Sequence, residues 1–208
     1  MKNNTLIFGD SYSTFKGYIP EGYEVYYSEE ENSETDVRKV EETWWFQVFK
    51  EKNFNLMLNN SWSGSTIGYT GYDNEDCSGS SSFIYRFRKL IESGFFAENE
   101  IDTMFIFGGT NDSWCKAPLG EMKYSDWEEK DFYSVLPAMC YFFNLVKERD
   151  LPEDGLTREW KAELLKIPVL DVVISEKRSP LMIAVSQTTA SLYRCFCGES
   201  RKIVYPIM

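Results

Sequence analysis

Three short apolar runs, each broken by a polar turn that carries glycine, constrain this chain more than any other feature. Thr5–Phe8 ends at Gly9, Phe54–Leu58 runs into NNSWSGSTIG, and Asp102–Phe107 ends at Gly108-Gly109. Runs this short and this apolar predict strands buried on both faces. Between them lie two helical segments. Trp44–Lys52, with Thr43 as a candidate cap, offers Trp44, Trp45, Phe46 and Phe49 as an apolar side, and Ser82–Ser93 offers Phe83, Phe87, Leu90 and Ile91. Strands alternating with helices predict an α/β fold, a three-layer sandwich around a parallel sheet. In such sheets ligands gather at the carboxyl ends of the strands. The turns at Gly9, Gly64 and Gly109 all lie there, and the spacing predicts that they converge.

The last third is less regular. Phe132–Arg149 and Leu156–Leu165 read as helices with Pro152 between them, and Ile167–Val173 as a strand. No strand is written between those helices, where the alternation calls for one. Leu181–Val185 and Ile203–Ile207 are further apolar runs in a tail of weak periodicity. The chain is read as one domain, residues 1–208, with a core of α/β pattern over 1–173 and an atypical tail over 174–208.

A net charge of −11 argues against nucleic acid or an anionic membrane as the main partner. No stretch approaches the roughly 18 apolar residues of a membrane span, and the first residues lack a signal-peptide core, so a cytoplasmic protein is expected. The five cysteines are irregularly spaced and there is no histidine, which leaves no zinc pattern. No glycine loop has dinucleotide or P-loop spacing. The expectation is therefore no metal and no cofactor.

The turns themselves carry chemistry. Gly9-Asp10-Ser11-Tyr12-Ser13 presents a serine where a strand breaks, and Gly109-Thr110-Asn111-Asp112 presents an asparagine in the same position on another strand. With Asn59–Thr66 between them, this order resembles the SGNH (GDSL-type) hydrolases over about Thr5 to Arg149. The resemblance implies a flavodoxin-like strand order and a serine esterase acting on a small acyl or acetyl ester. It also implies Ser11 as nucleophile, with the Gly64 N–H and the Asn111 side-chain amide as oxyanion donors. The chemistry fits: aimed N–H donors stabilise the tetrahedral oxyanion of acyl transfer, and glycine at 64 admits substrate close to backbone. Asp10 and Asp112 are supporting acceptors for loop backbone, and Asp10 reads first as a cap for the turn it precedes.

The fourth motif of that family, Asp-x-x-His-Pro, is not matched. The nearest string is Glu176-Lys177-Arg178-Ser179-Pro180, which makes Glu176 a candidate orienting acid, with Asp171 its rival. Neither replaces imidazole, because an ordinary carboxylate of pKa about 4 is a weak base toward a serine hydroxyl. Two readings remain open: a frame altered near its end, so that Ile174–Met208 is not the ancestral tail, or a catalytically inactive domain that keeps the pocket for binding. Trp62, Tyr69, Tyr72 and Trp114 either line a pocket or pack, and Tyr12–Tyr27 is either a lid or a surface insertion.

Overall fold

The computed structural model describes residues 3–30, 35–51, 53–149 and 181–186. Strand β1 (Asn3–Gly9) lies inside the sheet because it is apolar on both faces. Leu6 and Phe8 enter one hydrophobic cluster, and Ile7, between them, enters the other. This two-residue alternation makes β1 the shared wall of two cores. β2 (Phe54–Ser61) and β3 (Thr103–Gly108) pair with it on either side, both parallel. β3 repeats the division: Met104 and Ile106 face the first cluster, Phe105 the second.

Helices cover both faces, as expected. On the first face, α2 (Phe83–Glu92) contributes Phe83, Ile84 and Phe87, and α5 (Val135–Arg149) contributes Met139, Phe142 and Val146. Phe8 meets Phe83, Phe87 and Phe142 with ring centroids 5.3 to 5.6 Å apart. Burying one such ring stabilises by about 1.5–3 kcal/mol. α2 starts at Ser82, whose hydroxyl accepts the Tyr85 N–H at 3.2 Å, a cap of about 1 kcal/mol. On the second face, α1 (Trp44–Glu51) buries Trp45 against Phe15 and Val40. The Thr43 carbonyl accepts the Gln47 N–H, while its hydroxyl donates back to Val40 O.

Two further helices are too short to carry a periodic signal: α3 (Phe95–Glu98) and α4 (Thr110–Trp114). α5 begins three residues later than the sequence predicts. Extended backbone at Ser134 separates it from a 3-10 turn at Glu129–Tyr133, and Pro137, which has no N–H to give, falls in its first turn.

The strand order is β2-β1-β3-β4, the flavodoxin-like order up to its fourth position. β1, β2 and β3 form the expected parallel sheet, and a segment of the tail takes the fourth position. β4 (Leu181–Ser186) runs antiparallel to β3, with Leu181 opposite Gly108 and Ser186 opposite Thr103. An edge strand has only to satisfy the outward N–H and C=O groups of its neighbour, which either direction does, and antiparallel edges on parallel sheets are common. The expected helix Leu156–Leu165, the expected strand Ile167–Val173 and the apolar run Ile203–Ile207 lie outside the described residues, as do Asp171 and Glu176.

Candidate active site at the carboxyl end of the sheet

β1 stops at Gly9, and Asp10 turns the chain. Its Oδ1 accepts the Tyr12 N–H at 3.2 Å, capping a single 3-10 turn, Ser11–Ser13. Its own N–H donates to Phe107 O at 3.1 Å, which ties the end of β1 to the end of β3. Ser11 is therefore the second residue beyond the strand, directly after a turn residue held from both sides.

The second turn reaches the same point from β2. The Trp62 N–H donates to Gly9 O at 3.1 Å, and the Ser65 N–H closes the loop onto Trp62 O at 3.2 Å. Between them Gly64 adopts φ +81°, a left-handed conformation that suits glycine. Its N–H points at Ser11 Oγ, 3.3 Å away. The third turn arrives from β3. Gly109, at φ +91°, starts α4 and places Asn111 one residue into it. The Asn111 Nδ2 donates to Ser65 O at 2.9 Å, and the Tyr72 hydroxyl donates to Asn111 Oδ1 at 2.8 Å. Two hydrogen bonds and the Gly64–Ser65 peptide link thus connect Ser11, Gly64, Ser65 and Asn111.

The two supporting aspartates are buried beneath these loops. Both oxygens of Asp112 accept the Ile67 N–H, and Oδ1 also accepts the Gly68 N–H. Burial pushes its pKa up to about 6 in spite of those donors. Asp10 is 0% exposed and its Oδ2 has no partner among the described residues. Burial, with Asp112 adding repulsion, lifts it to about 7, against the pull of the Tyr12 N–H and the Arg86 charge. The capping role read from the sequence holds for Asp10, but its proton affinity is far above that of an ordinary carboxylate.

Arg86 is the structural residue that sequence reasoning missed. It is buried in α2, where its Nε donates to Ser81 O at 2.8 Å and Nη1 to both Asn60 O and Asn60 Oδ1. Its Nη2 reaches Gly9 O at 3.3 Å and Ser65 Oγ at 3.0 Å, and its guanidinium sits 4.6 Å from the Phe8 ring centroid. One side chain therefore fastens the ends of β1 and β2 to the loop that carries Gly64. Burial lowers its pKa to about 9. The signal was present: Phe83, Arg86, Phe87 and Leu90 follow the i, i+3, i+4, i+7 stripe of a buried face, with an arginine inside it.

The candidate aromatics divide. Tyr69 is core, edge-on to Phe132 at 5.5 Å. Trp62 packs on Tyr23 at 4.4 Å, and Ser63 N–H donates to Glu24 O, so the segment after β1 is fastened beside the second turn. Tyr72 and Trp114 are exposed, at 40% and 46%. Among the described residues no three acidic, cysteine or histidine side chains are grouped to hold a metal ion, and no helix is long and apolar enough to cross a membrane.

The sequence model of a family described as GDSL-like Lipase/Acylhydrolase matches residues 3–156. The crystal structure of a candidate GDSL-like lipase from Bacteroides ovatus is 39% identical, with a TM-score of 0.65 over 78% of this chain and 78% of that one. A second candidate GDSL-like lipase, from Bacteroides uniformis, is 43% identical, with a TM-score of 0.63 over 71% of this chain and 66% of that one. No curated protein matches the chain.

Proposed function

From the premise that this chain belongs to the GDSL-like lipase/acylhydrolase family, we propose that it takes a small acyl or acetyl ester at the carboxyl end of the sheet and turns it over slowly. The observation that carries this reading is the Gly64 N–H directed at Ser11 Oγ across 3.3 Å, from loops 53 residues apart. A backbone donor beside a serine hydroxyl is the arrangement that acyl transfer uses for its oxyanion.

In this mechanism Ser11 Oγ attacks the ester carbonyl carbon and the carbonyl electron pair moves onto oxygen. The Gly64 N–H and one Nδ2–H of Asn111 receive that charge. As the carbonyl re-forms, the alcohol leaves with a proton, and an acyl group remains on Ser11 Oγ. Water then attacks the acyl carbon, releases the acid and returns the proton to Ser11. Both halves need a group to take a proton from an attacking O–H. The chain has no histidine, so solvent water takes it, and the loss relative to a complete triad is on the order of 10⁶ in turnover. The oxyanion donors retain the remainder.

The test is p-nitrophenyl acetate hydrolysis at neutral pH by the parent protein and by Ser11→Ala, with mass spectrometry of the peptide that contains Ser11. We expect slow, Ser11-dependent release of p-nitrophenol and an acetyl group retained on Ser11, since deacylation lacks a base as much as acylation does. Equal rates for both proteins, with no acetylated peptide, refute the reading. A second reading, a domain that binds an ester without turnover, is favoured by the missing histidine alone. It predicts saturable binding of a non-hydrolysable ester analogue with no acyl-enzyme.

A further inference from the structure

The Asn111 side chain has a fixed orientation, and the residue that completes it lies outside the three motif turns. Ser65 O is a carbonyl and can only accept, so the group 2.9 Å from it is the Asn111 NH₂. That leaves Oδ1 toward Tyr72, whose hydroxyl must donate across 2.8 Å. With Oδ1 and one Nδ2–H satisfied, the second Nδ2–H is the remaining donor of the amide. We propose that Tyr72 is a positioning residue, which holds the Asn111 amide so that this second N–H is presented to the oxyanion of a substrate acylating Ser11. The proposal rests on the ester reading above.

The loop that carries Tyr72 is built to place one hydroxyl. Gly71 N–H donates to Glu75 O at 2.8 Å and Glu75 N–H to Tyr72 O at 2.9 Å, closing a tight turn whose central residues, Asp73 and Asn74, have φ of 53° and 61°. Asp and Asn enter this left-handed region more readily than other non-glycine residues, which suits them to the turn. Gly71 is required for a different reason: a Cβ there would lie 2.6 Å from Cys77 Sγ. Thr70 is fastened on the other side, its hydroxyl donating to Tyr133 O at 2.8 Å. The turn spans the residues just before Cys77, far from Asn111 in sequence, yet its tyrosine oxygen ends on the Asn111 amide. Partial burial, with Cys115, Asp10, Tyr12 and Asp112 adding to it, raises the Tyr72 pKa, so the hydroxyl keeps its proton and its donor role at neutral pH.

The decisive variant is Tyr72→Phe, which removes one oxygen and keeps the ring on the surface. Two readouts separate positioning from a merely structural role. The first is the Asn111 side-chain amide pair in ¹⁵N-resolved NMR, assigned by its loss in Asn111→Ala. Tyr72→Phe is expected to shift this pair and speed its exchange with solvent. The second is Ser11-dependent p-nitrophenyl acetate turnover, where kcat is expected to fall roughly five- to tenfold with KM within twofold, the size of one neutral hydrogen bond acting through the transition state. An amide pair that does not move overturns the proposal. So does a shifted pair with unchanged kcat, and so does a rise in KM alone, which would make Tyr72 a substrate contact. A parent protein without Ser11-dependent turnover refutes the ester reading and, with it, the catalytic half of this proposal. The amide signals then still decide whether Tyr72 holds Asn111.

Discussion

Replacing Asp10 by Asn measures what it costs to keep a carboxylate under the site. Asp10 is 0% exposed and Oδ2 has no partner among the described residues, so ionisation leaves a charge that water cannot reach. Its pKa is about 7 in the folded chain against 3.8 for an unperturbed aspartate. Between those values the native state binds more protons than the unfolded state, so stability falls as pH rises, and it levels off above pH 7. Integrating the two titrations from pH 5 to pH 8 gives a loss of roughly 2–3 kcal/mol. Asp112, raised to about 6, slopes the same way, but it is present in both proteins and cancels. Asn keeps an oxygen for the Tyr12 N–H, so the cap survives the exchange. The assay is urea unfolding of the parent and Asp10→Asn at pH 5 and pH 8. The stability of Asp10→Asn relative to the parent is expected to rise by roughly 2–3 kcal/mol from the lower to the higher pH. A change under about 0.5 kcal/mol refutes the burial argument. A change of opposite sign would mean that the Arg86 charge holds Asp10 ionised as a buried ion pair.

Two further outcomes follow from the same loops. Arg86→Met strips Asn60 O, Ser81 O and Ser65 Oγ of their buried donor and should lower the urea-derived stability by about 3–5 kcal/mol, whereas a loss under about 1 kcal/mol would mean the loops close without it. Added imidazole should accelerate p-nitrophenyl acetate hydrolysis by the parent protein beyond its effect on Ser11→Ala, because on the proposed ester reading Ser11 and its N–H donors lack only the imidazole that a chain without histidine cannot supply; equal acceleration of both proteins would sink that expectation.

What the sequence disclosed was local. A strand that ends in Gly-Asp-Ser is written in neighbouring letters, as is one that ends in Gly-Gly-Thr-Asn, and parallel pairing then brings Ser11, Gly64 and Asn111 together without further information. The rest depends on contacts between distant residues. Arg86 lies on an apolar stripe, but only the folded chain brings Gly9, Asn60 and Ser65 around it. The bond from Tyr72 to Asn111 spans 39 residues and depends on a turn with left-handed Asp73 and Asn74, whose letters also suit an ordinary surface loop. The direction of β4 was not legible either, because Leu181–Ser186 has the same apolar composition whichever way it runs. Direction is set by how the chain returns to the edge of β3, not by side-chain pattern.

The same geometry bears on which group could take the proton from Ser11. By proton affinity alone Asp10 qualifies, since a pKa near 7 is where a general base works best at neutral pH. Placement argues otherwise. Its Oδ1 is committed to the Tyr12 N–H, and its side chain lies under the turn, fully removed from solvent. A base must also pass the proton on to the leaving alcohol, which requires access to the face where substrate sits. Asp112 is further committed, with both oxygens engaged by the Ile67 and Gly68 amides. The buried carboxylates thus shape the loops that present N–H groups, and their negative charge, when present, opposes an oxyanion nearby. A protonated Asp10 removes part of that opposition. Acidification from pH 8 toward pH 6 therefore favours the fold and, on the proposed ester reading, the N–H donors together, while making any solvent base scarcer. On that reading the stability of the scaffold and the rate of proton removal have opposite dependences on pH.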